Sequence, residues 1–252
     1  MKMKIILTTT IFALILSSFT VSATLNSYDL RLYQSYKTGD MTQWVKVIDE
    51  LNQLYKKEPS RELLFDITEA QYGYIGYLIG IKNSSEARKY IKIAERNVEK
   101  ILSENSNNHD ALAIKGSLYA YHIALSPYKA PFLGPQSMKF IDEAYKTGSN
   151  SPQVLIEKGN AAHYAPSLFG GDPKKATEYY TKAAKLLEKS NNGNPPKTWI
   201  YLNTLAQLAL AFEKSDEPAN AEQTYQQILK IAPDFKWVKE KLYPNFIEKR
   251  NS

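Results

Sequence analysis

The sequence predicts an all-α fold: a right-handed solenoid of antiparallel helical hairpins, closed by a C-terminal capping helix. Three observations point there. Apolar residues recur at spacings of three and four along nearly the whole chain, as in Leu51, Leu54 and Tyr55, or Ile91, Ala94, Val98 and Ile101. Runs of alternating β-branched residues are missing. Turn-forming clusters such as "KTGD", "KEPS", "KNSS", "ENSNNHD", "KTGSNSP" and "KSDEP" cut the pattern into segments of helix length.

The start of the chain stands apart from this pattern. Lys2 and Lys4 precede an apolar run from Ile5 to Leu16, and "SSFTVSA" sets Val21 and Ala23 in the small-residue pattern of a secretory cleavage site. The run is well short of the roughly 20 apolar residues that span a bilayer. The expectation is a chain cut after Ala23, periplasmic or secreted, with residues 24–252 as a single domain and no stable membrane span. Removing Lys2 and Lys4 takes the formal net charge from +6 to +4. Lysines interleaved with acids, as in "RKYIKIAERNVEK", read as solvated helix faces and lack the clustered stripe that grips nucleic acid. The chain has no cysteine, which excludes disulfides, thiolate chemistry and lipid attachment through sulfur. A hydrophobic core must hold it together, and the length is ample for one.

Four or five hairpins follow in order. The first, Leu30 to Lys56 around "KTGD", is weakly patterned and puts Trp44 near the position where a small residue belongs. Ala87, Ile91 and Ala94 mark the second helix of the next. Gly116 and Tyr119, then Ser137, Ile141 and Ala144, make a third; Gly159, then Ala176, Tyr180 and Ala183, a fourth. In the last, Leu205, Leu208, Ala209 and Phe212 are answered by Ala221, Tyr225, Ile228 and Pro233. Small residues at the crossing let two helices approach closely, aromatics fill the space beside them, and Pro233 ends the second helix because it has no N–H to donate. Beyond it, "DFKWVKEKLYPNFIEK" offers Asp234 as an N-cap and Trp237, Val238 and Leu242 as an apolar stripe for a capping helix, which Pro244 should bend or end.

Spacing locates what is unusual. Ala87, Ser137, Ala176 and Ala221, which open the second helices, are 50, 39 and 45 residues apart, where a plain unit repeats at about 34. The third and fourth hairpins carry about nine and five extra residues in their inter-helix turns, "IALSPYKAPFLGPQ" and "YAPSLFGGDP". Polar "KSNNGNPPK" reads as a surface loop. The two inserted turns are instead aromatic, with Tyr128, Phe132, Leu133, Tyr164, Leu168 and Phe169 among four prolines, and His122 and His163 just before them. Consecutive hairpins should set them side by side. The simpler expectation is that each turn packs onto its own hairpin as satellite core; the sharper one is that together they floor an apolar pocket.

Chemistry-bearing motifs are sparse. "GGDPKK" lacks the rest of a phosphate-binding loop and follows a helical segment, no two histidines share zinc-ligand spacing, and no nucleophile elbow occurs. No metal or cofactor is expected. In "SLFGGDPKKA", Gly170 and Gly171 suit a helix end, Asp172 an N-cap and Pro173 a first helical position. Lys174 and Lys175 then sit at the positive end of a helix, unfavourable unless an anion or acidic partner lies near. Gly73, Gly76 and Gly80 in "QYGYIGYLIG" share one helix face, which predicts close packing of a neighbour or a smooth groove.

The hairpins resemble tetratricopeptide repeats across Leu30 to Phe235. "LSPYKAPFLGP" with "YAPSLFGGDPKKA" is similar to exported tetratricopeptide proteins of Bacteroidetes-type bacteria, and "FGGDPKKATEYYTKA" is distantly similar to the T component of TRAP-type transporters, a helical-repeat lipoprotein with a hydrophobic cavity. The first resemblance implies protein or peptide binding in a concave groove. The basic clamp that some such repeats use for a C-terminal carboxylate has no counterpart at Ala113, Ser117, Ile156 and Asn160. The expected function is therefore non-enzymatic protein or peptide binding. Candidate contact residues are His122, Tyr128, Phe132, Asn160, His163, Tyr164, Phe169, Lys174 and Lys175. The alternative is a small-ligand carrier with an apolar pocket at the two loops. An enzyme would bring His122 or His163 to a carboxylate or hydroxyl in a cleft.

Overall fold

The computed structural model describes residues 27–251, so the expected signal segment and its cleavage site lie outside the described residues. Eleven helices follow: α1 (residues 27–38), α2 (Met41–Lys57), α3 (Arg61–Gly80), α4 (Ser84–Glu104), α5 (His109–Leu125), α6 (Ala130–Gly148), α7 (Pro152–Tyr164), α8 (Pro173–Ser190), α9 (Trp199–Lys214), α10 (Pro218–Ile231) and α11 (Tyr243–Asn251). No strand occurs among the described residues. Short polar residues start the helices as the turn clusters predict. Asp40, Ser60, Asn83, Asn108, Ser151 and Asp172 each accept, through a side-chain oxygen, the backbone N–H three residues on.

Successive helices pair as hairpins α3/α4, α5/α6, α7/α8 and α9/α10, α2 packs on α3, and each hairpin stacks on the next; α1 meets α2 through Arg31, which donates to Glu50. The small residues act where expected. A Cβ on Gly116 would stand 2.6 Å from Ile141 and one on Gly159 would stand 2.6 Å from Tyr180, so only glycine admits these crossings. Ala87, Ala176, Ala209 and Ala221 are fully buried. Trp44, at the small position of the first hairpin, is also buried and donates its indole N–H to the Ala70 carbonyl at 2.9 Å.

The chain is more tightly wound than a run of independent hairpins. Trp44 of α2 meets Trp199 of α9 edge-on with ring centroids 5.2 Å apart, and Tyr36 packs on Trp44, Trp199 and Phe235. Lys37 pairs with Asp234 at 3.0 Å. The glycine face of α3 serves this packing: a Cβ on Gly73 would lie 2.9 Å from both Trp44 and Trp199, and one on Gly76 would lie 3.2 Å from the Tyr121 hydroxyl. Aromatic side chains, and not a neighbouring helix backbone, fill the face. Gly80 has nothing within 4 Å.

The C-terminal segment differs from expectation in detail. Asp234 pairs with Lys37, and Phe235 caps the helical stretch that begins at Lys236 and leads into α11, its carbonyl accepting from Lys239 N at 2.9 Å. Pro244 does not end that helix. The backbone widens into a π turn at Val238–Leu242 just before it, with Tyr243 N–H reaching the Val238 carbonyl, and the helix runs on to Asn251. The apolar stripe covers the last hairpin as expected, with Val238 and Phe246 buried against Tyr225.

Candidate functional site

The inserted turns sit on one edge of the stack, because α3, α5 and α7 end there and α4, α6 and α8 begin there. Arg88, in the first turns of α4, donates to the Leu125 carbonyl and the Ser126 hydroxyl at the end of α5, both at 2.9 Å. Lys214, at the end of α9, donates to the His163 carbonyl at the end of α7.

The first insertion is mostly helix. Only Ser126 and a 3-10 turn at Pro127–Lys129 separate α5 from α6, and Pro131, Phe132 and Pro135 lie in the first turns of α6. Pro131 loses little there, because the first N–H groups of a helix have no intrahelical partner, whereas Pro135 lies inside the helix and removes one ladder bond. The second insertion is a true turn. α7 stops at Ala165, residues Ser167–Phe169 form a 3-10 turn, and Gly170 ends that turn at φ +88°. Gly171 has a different task from its neighbour. A Cβ there would come within 1.9 Å of the Ala165 carbonyl oxygen, so glycine permits the close return of the chain. Asp172 N–H then bonds to the Ala162 carbonyl at 2.8 Å while its side chain caps α8.

Satellite packing of the aromatics is not what the structure shows. Tyr128, Phe132, Tyr164, Leu168 and Phe169 are between 60% and 88% exposed. With Ile81, at the α3–α4 turn of the same edge, they make six of the seven large apolar side chains that stand exposed among the described residues. Such clustering, unlike scattered surface leucines, marks a contact surface. Nor do these side chains enclose a pocket. A cavity of about 30 Å³ lies elsewhere, beside Glu95, Lys115 and Tyr119, and an open depression lies beside Thr177 and Phe212.

Lys174 and Lys175 are exposed on the same edge. The other three candidates turn inward. Asn160 donates to the Tyr72 hydroxyl at 3.1 Å and to Glu157 at 2.8 Å, and accepts from the Tyr180 hydroxyl at 2.7 Å, so its amide is committed inside the fold. His163 is buried, its ring edge-on to Tyr164 at 4.5 Å, and burial with the nearby Lys214 pushes its imidazole down to about 4. His122 lies 2.8 Å from a Glu95 carboxylate oxygen. A carboxylate–imidazole pair therefore exists. Its second nitrogen, Nδ1, is buried without a partner among the described residues, and the cavity beside Glu95 has room for about two waters.

Sequence reasoning missed the polar centre beneath the edge. Glu157 of α7 is fully buried with no cationic partner, and accepts from Ser117, from Gln153 at 2.6 Å and from Asn160. Burial pushes its carboxyl up to about 6 against the opposing pull of those donors. Half-buried Glu69 is pushed up to about 8, by burial first and then by Asp66, Asp29, Asp110 and Glu157. Tyr72 and Tyr121 stack over this centre with centroids 5.3 Å apart. Among the described residues no group of side chains has the arrangement of a metal site, and no helix is long and apolar enough to cross a membrane.

No family profile and no curated protein sequence matches this chain. Two solved structures are similar to it in fold. The HusA haemophore from Porphyromonas gingivalis has a TM-score of 0.57 at 16% identity, over 73% of this chain and 92% of its own. A thermophilic tetratricopeptide protein of Thermus thermophilus has a TM-score of 0.56 at 13% identity, over 86% of this chain and 97% of its own. The chain thus has an all-α helical-repeat fold of the tetratricopeptide kind.

Proposed function

We propose that the protein is an exported, non-enzymatic binding protein whose helical-repeat scaffold presents an aromatic edge to a protein or peptide partner. The observation that carries this reading is the concentration of exposed Tyr128, Phe132, Leu168 and Phe169 on two consecutive turns. Aromatic anchors of this kind supply most of the energy of a protein interface. The inner side of the superhelix is a poor candidate, since Tyr36, Trp44 and Trp199 fill it. The test compares what co-purifies with the wild-type protein and with a Tyr128→Ala/Phe169→Ala double variant of matched melting temperature. Loss of the same specific partner from the variant supports the reading. Identical partners on both proteins would sink it.

A second reading has its own support in the fold shared with a haemophore. Here the same edge lays an apolar small molecule, haem in that analogy, on open aromatic faces instead of in a closed pocket. Titration with hemin, read by its absorbance band, separates the two: saturable binding lost in the double variant favours the carrier.

A further inference from the structure

The charges beside the aromatic edge narrow the chemistry of its partner. Lys82, Lys129, Lys174 and Lys175 belong to the same three consecutive turns as Ile81, Tyr128, Phe132, Leu168 and Phe169. Lys82, Lys129 and Lys174 have no acidic partner among the described residues. Lys175 has only a loose one, 3.9 Å from an Asp172 carboxylate that already caps α8.

The helices reinforce this sign. α6 and α8 start at the edge and carry no acid in their first turns; the only acid at either start is Asp172, the cap of α8. Glu86, the acid in the first turn of α4, is taken by Lys89 at 2.8 Å. Acids gather instead towards the opposite end of the same hairpins, with Glu62, Asp66 and Glu69 in the first half of α3 and Asp110 at the start of α5. The positive edge is therefore a local arrangement and not a reflection of the mild overall surplus. Unpaired ammonium groups around an apolar patch repel one another until carboxylates arrive, and such complementarity selects a partner and steers its approach.

We propose that the partner segment seated on this edge is acidic, setting apolar side chains against Tyr128, Phe132, Leu168 and Phe169 and carboxylates beside Lys129, Lys174 and Lys175. This rests on the reading of the edge as a partner surface and adds the partner's charge. The probe is a fluorescent amphipathic peptide with Leu and Phe on one face and Glu on the other, paired with a twin bearing Lys for every Glu. Anisotropy with the purified protein should show the acidic peptide binding at least about tenfold more tightly than its twin. That preference should shrink as salt rises from about 0.1 M to about 1 M, which shortens the screening length from about 10 Å to about 3 Å. Triple reversal, Lys129→Glu, Lys174→Glu and Lys175→Glu, should swap the preference to the basic twin with the melting temperature held, since none of the three is buried. Equal binding of both peptides, lost on Tyr128→Ala/Phe169→Ala, overturns the charge inference and leaves the binding surface standing. Binding of neither peptide overturns the charge inference. Sedimentation with phosphatidylglycerol vesicles without binding of the acidic peptide overturns it in favour of a membrane contact.

Discussion

Tyr36 and Asn203 stand 167 residues apart in sequence and meet through a 2.8 Å hydrogen bond from the tyrosine hydroxyl to the amide oxygen. With the Trp44–Trp199 contact below it, this bond closes the first hairpin onto the fifth. Closure turns a stack, in which each unit touches only its neighbours, into one cooperative body. It also presents the edge turns on a rigid frame, because α5 and α7 are held between units that are themselves locked. Tyr36→Phe should therefore lower stability by about 1 kcal/mol, leaving the Asn203 oxygen without its donor. Chemical denaturation should remain a single transition in the wild-type protein.

Gly73 and Gly80 lie on the same helix and should respond oppositely to alanine. At Gly73 the new Cβ meets two indole rings at 2.9 Å, and flat rings in a packed core have nowhere to go. Gly73→Ala should cost about 1–3 kcal/mol by overpacking. At Gly80 no atom lies within 4 Å, and α3 gains the better helix former. Gly80→Ala should leave stability unchanged or raise it by up to about 1 kcal/mol. Paired urea melts of the two variants check this, and a similar loss in both would mean that Gly80 is as crowded as Gly73.

Much of the frame was legible in the sequence because its signals are local. Caps, periodicity and small residues at Gly116, Gly159 and Ala221 fall within one hairpin and have fixed spacing. The closure was not legible, since nothing in the spacing of Tyr36 and Asn203 marks them as neighbours. Glu157 was missed for a related reason: an acid in a helical segment reads as solvated, and only tertiary contacts surround it with Ser117, Gln153 and Asn160. The inserted turns were found from the repeat length, and the prolines obscured that Pro131 and Pro135 lie inside α6. Which candidates face out was decided by local backbone geometry: the turns throw Tyr128 and Phe169 outwards, while His163 and Asn160, still on α7, keep to its buried face.

Truncating the exposed aromatics should separate binding from folding. Tyr128→Ala and Leu168→Ala remove side chains with little packing to lose, so each should change stability by no more than about 0.5 kcal/mol. Gly171→Ala should do the reverse. It drives a Cβ into the Ala165 carbonyl, rebuilds the turn that carries Leu168 and Phe169, and lowers the melting temperature together with partner binding. Thermal melts of the three variants beside their binding isotherms make the comparison. Marked destabilisation by Tyr128→Ala would restore the satellite-core reading.

Two buried groups should oppose each other in the pH dependence of stability. Glu157 has its carboxyl raised to about 6 from the usual 4.5, chiefly by burial. Below 4.5 it is protonated in folded and unfolded chains alike; as pH rises through 6 the folded chain must hold a buried charge, at a cost of about 2 kcal/mol. Glu69, raised to about 8, carries the same trend further. His163 has the opposite sign. Its folded value, near 4, lies below the usual 6.5, so its contribution is intact above 6.5 and is lost as pH falls towards 4. Between about 4.5 and 6.5 the two carboxylates together outweigh the histidine, and wild-type stability should rise gently on acidification there. Glu157→Gln should flatten that slope, since Glu69 and His163 are then left to offset each other. His163→Phe should steepen it, because both carboxylates then act unopposed. Urea midpoints from pH 4.5 to 8 distinguish these slopes, and parallel profiles for both variants and the wild type would show that neither group titrates with the burial described.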